Sequence, residues 1–325
     1  MKFAQRSVFG LTALIAGLIL GNSGVQAQDY PTKPVRVINP YGAGGPNDFL
    51  GRLINEKLQA SLGQPFITEN RVGAAGNIGT AAVARSAPDG YTLVMNVDFT
   101  LGTNPVLYQN TGFDPLKDLA PISLVAKSKS VLVVHPSTGV NTVQELIALA
   151  KVKLLSFASG SNGTPGHLSG ELFKQVTGID MLHVPYKGNP PAVAATVAGE
   201  VQVFIAALST MLPHIKSGRV KALLMANVNR DVTLPDLPTA SEAGVPGIEV
   251  DSWYALSAPA RTPKAIIDRL HREIAVIVRM PDIRERMLNA GLEPAGQSGE
   301  EVTRLIERDL NKWGPVIKRA GIKID

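Results

Sequence analysis

The chain of 325 residues contains no cysteine, so no disulfide and no thiolate can contribute to its stability or its chemistry. It has no strong excess of charge either: 32 Lys+Arg stand against 27 Asp+Glu, a balance too mild to point to nucleic acid, though compatible with a small acidic ligand. No Gly-x-Ser-x-Gly elbow is present, which argues against a serine hydrolase. The histidines, His135, His167, His183, His214 and His271, show no metal-ligand spacing, so neither a metal nor another cofactor is expected. Beyond residue 27 no stretch is long and uncharged enough to cross a bilayer.

What is present begins with a leader. Lys2 and Arg6 precede an apolar run over 8–20, followed by small and polar residues ending Val25-Gln-Ala27. This predicts a secretory signal peptide over 1–27, cut after Ala27, and a mature protein outside the cytoplasm. A retained anchor is the weaker reading, because the apolar core falls short of the ~20 residues that span a bilayer. The leader takes 2 of the basic residues and no acids, leaving a net charge of +3. A mature chain of this size can bury its own core and is expected to divide into two domains.

The main chemical signal is a pair of glycine-rich loops, Tyr41-Gly-Ala-Gly-Gly-Pro-Asn-Asp48 and Asn70-Arg-Val-Gly-Ala-Ala-Gly-Asn-Ile-Gly79. Each follows a short apolar run and opens a helical pattern, a setting in which backbone amides hold an anion. Neither loop carries a nucleophile, a metal-ligand cluster or a phosphate-loop lysine, so the equipment suits holding a negative group more than transforming it. Strands are predicted over 35–39, 64–68 and 91–97, with helices over 48–62 and 78–86, the first capped by Asn47 or Asp48. This alternation predicts a parallel sheet with ligands gathered at the carboxyl ends of its strands.

A second unit begins near Ser130. It has strands over 131–134, 153–158, 181–184, 201–206 and 222–226 and helices over 142–150, 168–177, 191–198 and 210–216. A strand over 250–258 then leads into amphipathic helices over 263–279, 281–290 and 300–318, which should pack back onto the first unit. The chain therefore crosses between lobes near 124–128 and 248–252.

These segments together resemble the substrate-binding proteins of the tripartite tricarboxylate transporter family, the Bug extracytoplasmic solute receptors. The matching stretches include Tyr30-Pro-Thr-Lys-Pro34, Ala43-Gly-Gly-Pro-Asn-Asp48, Gly76-Asn-Ile-Gly79, Ala87-Pro-Asp-Gly-Tyr-Thr-Leu93, Asn104-Pro105 and His183-Val-Pro-Tyr-Lys-Gly188, in order across nearly all of the mature chain. The resemblance implies a two-lobed, type II periplasmic-binding-protein (Venus flytrap) fold, α/β, each lobe a mixed, mostly parallel sheet flanked by helices. Lobe 1 takes residues 28–126 and 251–325, and lobe 2 takes 127–250. It also implies a monomer that closes on a small carboxylate, without catalytic residues, and delivers it to a permease of large and small subunits.

The resemblance places the carboxylate against both loops of lobe 1, at Tyr41, Ala43, Gly44, Gly45 and Asn47 and at Ala74, Ala75 and Asn77. From lobe 2 it directs attention to Ser159, Ser161, Asn162, Thr164 and His167, around a third helix start, with Tyr186 on the cleft wall. For Asn77 a ligand contact and a helix cap are both open, and His167 is either a donor to a distal carboxylate or an ordinary first-turn residue. Asp48 is expected to orient its loop, Arg71 to be a solvated loop residue and Trp253 to belong to the core. Where relatives commonly read Gly-Gly-Gly-Thr/Ser-Asp, this chain has Pro46 and Asn47, losing one backbone donor and exchanging a hydroxyl for an amide. Its Ile205-Ala-Ala-Leu-Ser209 lacks the acidic or amide residue common there, which suggests a ligand with a less polar distal half.

Two alternatives remain. Gly42 and Gly44 with Glu69 give an incomplete dinucleotide fingerprint, the basis for reading a dinucleotide-dependent enzyme, in a protein predicted to meet little soluble nicotinamide cofactor. The same closing lobes also suit a sensor that docks onto a receptor kinase's outer domain.

Overall fold

The computed structural model describes residues 30–322 and 324. The predicted signal peptide lies outside the described residues. No helix among them is long and apolar enough to cross a membrane.

The first unit opens with β1 (Val35–Asn39), α1 (Pro46–Leu62), β2 (Phe66–Asn70), α2 (Asn77–Ala84) and β3 (Thr92–Val97). Two short helices follow, α3 (Asp98–Gly102) and α4 (Asn104–Leu107). The 16-residue strand β4 (Leu119–Val134) then leads into α5 (Val143–Val152), β5 (Leu155–Ser159), α6 (Pro165–Thr177), β6 (Met181–Pro185) and α7 (Asn189–Ala198). After β7 (Val203–Ala207), α8 (Leu208–Lys216) and β8 (Lys221–Ala226), the chain returns through β9 (Asp251–Pro259), α9 (Lys264–Ile277), α10 (Pro281–Asn289), β10 (Glu293–Ser298) and α11 (Gly299–Ala320).

One sheet runs β2-β1-β3-β9-β4-β7-β5-β6, with β8 and β10 pairing to β4 beside this path. Pairing is parallel among β1, β2 and β3 and again among β5, β6 and β7, while β9 and β4 at the centre run antiparallel to their neighbours. β4 belongs to both halves. Through Lys129 it pairs with β9, and from Ser130 onward with β7 and β8.

Period-two burial decides how this strand packs. Leu132 and Val134 enter one apolar cluster with Phe157, Phe173, Val203 and Ile205, whereas Val131 and Val133 enter another with Phe204, Met211 and Met225. The other half of the sheet packs Ile38, Val94, Leu124 and Ala255 against Val302, Leu305 and Ile306 of α11. Those three lie on one helical face, which Asp309, Trp313 and Ile317 extend. The last helix thus packs against strands of the first unit.

The strand expected over 131–134 in fact starts at Leu119, and α3, α4 and β10 add elements that periodicity did not reveal. The order β2-β1-β3 matters most for the site. The connection from β1 leads one way and that from β2 leads back past it, so the carboxyl ends of β1 and β3 form the switch point at which open α/β sheets bind ligands.

Candidate functional site

The first glycine loop leaves β1 at Asn39 and enters α1 at Pro46. Gly42, Ala43 and Gly44 are exposed, and a Cβ on Gly42, Gly44 or Gly45 would meet nothing within 4 Å, so this backbone borders open space. Gly44 has φ +85, which favours glycine. Its N–H donates to Asp48 Oδ2 at 3.1 Å, where Arg52 Nε also donates at 3.0 Å. Asn39 and Asn70 donate to Oδ1 at 3.3 and 3.2 Å. Burial pushes the Asp48 carboxyl up, but the hydrogen bonds from Arg52, Gly44 and Asn70 prevail and hold it at about 2. Asp48 is thus the internal anion around which the loop is built.

The expected cap differs. Gly45 is the N-cap of α1 and no side chain caps it, because Pro46 sets the first helical φ and places Asn47 and Asp48 inside the helix. Asn47 turns inward: its Nδ2 donates to Asn39 Oδ1 at 2.6 Å and to the Met95 carbonyl at 2.8 Å. Its donors tie α1 to β1 and β3.

The second loop is held in an unusual backbone. Gly73, Ala74, Ala75 and Gly76 have φ of 136, 45, 51 and 90, all in the left-handed half of conformational space. For the two alanines this costs about 1–2 kcal/mol each. Neighbouring side chains stabilise it: the Ala75 carbonyl accepts from Thr100 Oγ1 at 3.1 Å and from Asn104 Nδ2 at 3.0 Å. Since Thr100 gives its hydrogen to Ala75, the Tyr41 hydroxyl donates to Thr100, linking the two loops. A Cβ on Gly76 would lie 2.8 Å from that same Tyr41 hydroxyl. Asn77 opens α2 without capping it; its Oδ1 accepts from Asn104 Nδ2 at 2.7 Å, and its buried Nδ2 has no partner among the described residues. Arg71 is exposed on the approach to this loop.

The third helix start is knit together internally. Ser159 is fully buried, and its Oγ donates to the Ser161 carbonyl at 2.9 Å. It therefore accepts from His183 Nε2 at 2.6 Å. That contact resembles a nucleophile paired with a base, yet the hydroxyl proton is already given away and the imidazole nitrogen facing it is the protonated one. His167 accepts from the Gly163 N–H at 3.0 Å through Nδ1 and stacks on His183 with centroids 3.7 Å apart. Burial first, then Lys174, lowers the His183 pKa to about 4, and burial, His183 and Lys174 do the same for His167. Both rings are neutral.

Thr164 is the N-cap residue of α6, but its hydroxyl donates back to the Ser161 carbonyl at 2.7 Å and leaves the helix uncapped by a side chain. Ser161 and Asn162 are exposed, and Tyr186 is half-buried with its N–H on the Ser159 carbonyl at 2.9 Å. A Cβ on Gly163 would come within 2.2 Å of Leu107 at the end of α4, so this loop packs closely on the first unit. Trp253 is in the core, with Nε1 on Asp309 Oδ2 at 2.7 Å.

The structure therefore gathers Tyr41, Ala75 and Asn77 through two residues that sequence reasoning did not select, Thr100 and Asn104. The Asn104-Pro105 pair was visible as a matching motif, but its contacts with Ala75 and Asn77 span 29 and 27 residues of chain. Among the described residues there is no group of three or more His, Asp or Glu able to hold a metal ion.

Residues 50–322 match the model of the tripartite tricarboxylate transporter family receptor. Protein BugT of Bordetella pertussis is 33% identical over 97% of this chain and 99% of its own length. R. palustris Rpa4515, solved with adipate, superposes with a TM-score of 0.85 at 35% identity, covering 91% of this chain and 99% of that one. MatC from Rhodopseudomonas palustris, solved with bound malate, gives 0.80 at 30% identity, covering 89% and 100%.

Proposed function

We propose, because this chain belongs to the tripartite tricarboxylate transporter family of receptors, that it is a periplasmic solute receptor for a small carboxylate. The ligand is a di- or tricarboxylate or an aromatic acid, held in a cleft between two lobes and presented by a monomer to a membrane permease of large and small subunits. The observation that carries this reading is the buried Asn77 amide without an acceptor, beside four consecutive left-handed residues at the start of a helix. An unsatisfied buried donor is costly, and a carboxylate oxygen is its natural complement.

The energetics suffice without an arginine clamp. A carboxylate facing a helix start gains about 0.3–1 kcal/mol, rising to ~2 when partly buried. Each charge-assisted hydrogen bond adds about 1.5–3 kcal/mol. A few such contacts, less ordering and association costs, reach micromolar affinity, about −8 kcal/mol. Adipate and malate in the two R. palustris neighbours favour the dicarboxylate class.

In this reading residues 28–126 and 251–325 anchor the carboxylate, and 127–250 close over its far end with Ser161, Asn162 and Thr164. The change of partners along β4 at Lys129 and Ser130 is a natural place for the bend. The apolar 205–207 stretch suits a ligand without an amino group at its distal half. Export follows from cleavage after Ala27.

A thermal-shift screen of the mature protein against adipate, malate, citrate, aromatic acids and acidic amino acids tests this. We expect a dose-dependent rise in melting temperature with plain or aromatic carboxylates, lost in Asn77→Ala and Thr164→Ala. Preferential binding of amino acids would overturn the ligand class, and no shift in refolded, ligand-free protein would overturn the function.

A further inference from the structure

We infer that Asn104 is a positioning residue that presets the Asn77 carboxamide as a donor to the ligand, an inference that rests on the carboxylate-receptor reading above. A backbone carbonyl only accepts hydrogen bonds, so the group of Asn104 lying 3.0 Å from the Ala75 carbonyl is its NH2. The same Nδ2 lies 2.7 Å from Asn77 and uses its other hydrogen there. Asn77 must therefore turn its Oδ1 towards Asn104, because the opposite orientation sets NH2 against NH2. Its Nδ2 is the group left over, and it is buried in a residue only 3% exposed, with no acceptor among the described residues.

The polarity of the site is thus passed along a chain, from Ala75 carbonyl to Asn104 to Asn77. Thr100 braces its first link by donating to the same carbonyl at 3.1 Å. An asparagine free to turn over offers a ligand a donor or an acceptor; this one offers only a donor. The site accordingly selects an atom that accepts hydrogen bonds, such as a carboxylate oxygen, over one that donates, such as an ammonium or amide nitrogen.

Asn104→Asp tests the inference, with adipate and malate as probes in calorimetric titrations between pH 4.5 and 8. The introduced carboxylate, when ionised, has no hydrogen to give, so Asn77 turns its NH2 towards it and its Oδ1 towards the anion. The expected loss of affinity at pH 7.5 is about 100-fold. Protonation of that carboxyl restores a donor, so the ratio to wild type should shrink towards about threefold or less as the pH falls through its titration. A merely structural role makes the ratio independent of pH. Equal affinity at pH 7.5, or an equal loss at every pH, overturns the inference.

A measurement without ligand separates this from the function itself. In unliganded wild type the side-chain amide protons of Asn104, both hydrogen-bonded, should exchange with D2O more slowly than those of Asn77, which are buried but not hydrogen-bonded. The reverse pattern overturns the inference even if neither dicarboxylate binds. Failure of both probes with the expected exchange pattern counts against the proposed ligand class and leaves the preset amide standing.

Discussion

Asp98 is the residue whose surroundings most oppose its ordinary charge. It follows β3 directly, is 5% exposed, and its Oδ1 has no hydrogen-bond partner among the described residues. Burial pushes its carboxyl well above the usual range and the nearby Asp309 adds to this, while the Phe99 and Trp253 backbone amides and Arg308 act the other way without prevailing. The native state therefore keeps this proton to higher pH than the unfolded chain does. Stability must then fall as the pH rises above the unfolded value near 4, until the folded pKa is passed. Asp98→Asn keeps the shape and removes the titration. The variant should gain about 1–3 kcal/mol over wild type at pH 7.5 and lose that advantage near pH 4, as read from urea unfolding. An advantage of the same size at both values would refute the assignment.

At the scale of elements, the start of α6 is braced on β5 and β6 by two stacked neutral imidazoles, and acid should loosen it. The groups facing His167 and His183 are Ser159 and Phe157 of β5, the Gly163 N–H and Lys174 of α6. Lys174 pairs with Glu171 and Asp180. Both histidines have folded pKa values of about 4 against 6.5 unfolded. The unfolded chain thus binds more protons in that window, and stability is lost as the pH falls from about 6.5 to about 4. The loss for each ring is on the order of 3 kcal/mol. His183→Phe keeps an aromatic ring in the stack and removes one titrating group, so its urea midpoint should fall less far than that of wild type between pH 7 and pH 4.5. An equal fall in both proteins would show that the stack does not carry the effect.

The same elements show what a sequence makes legible. β1, β5 and the amphipathic α11 were readable because apolar spacing alone encloses them, and the two glycine loops because their backbones need conformations that few residues adopt. The first part of β4 was not, since Pro121, Lys127 and Lys129 interrupt its alternation and its pairing shifts at 121/123 and 124/126. β10 reads Glu-Pro-Ala-Gly-Gln-Ser and has no apolar period, and α3 and α4, at 5 and 4 residues, are too short to show one. The site suffered from the same gap, because Thr100 and Asn104 sit on those two short helices and meet the second loop only through the fold.

For the whole molecule, the decisive element is the strand common to both halves of the sheet. Lys129 is the last residue of β4 to pair with β9, and at that junction its Nζ reaches Asp231 Oδ2 at 3.2 Å and Glu293 Oε1 at 2.8 Å. Lys129 and Asp231 are both buried, whereas the Glu293 side chain is 42% exposed. Removing the ammonium therefore leaves Asp231 without its counter-charge, held only by the Thr233 N–H and hydroxyl on Oδ1 at 2.9 and 2.6 Å, whereas Glu293 can turn to water. Lys129→Met should cost about 3–5 kcal/mol, the range for breaking a buried pair from one side. Adding Asp231→Asn should recover a large part of that cost, because the stranded charge disappears with it, so the two substitutions should be strongly non-additive. Unfolding should remain one transition in every variant, since neither half keeps its core once β4 is lost. A Lys129→Met cost below about 1 kcal/mol, or two separate calorimetric transitions, would mean that the junction does not couple the halves.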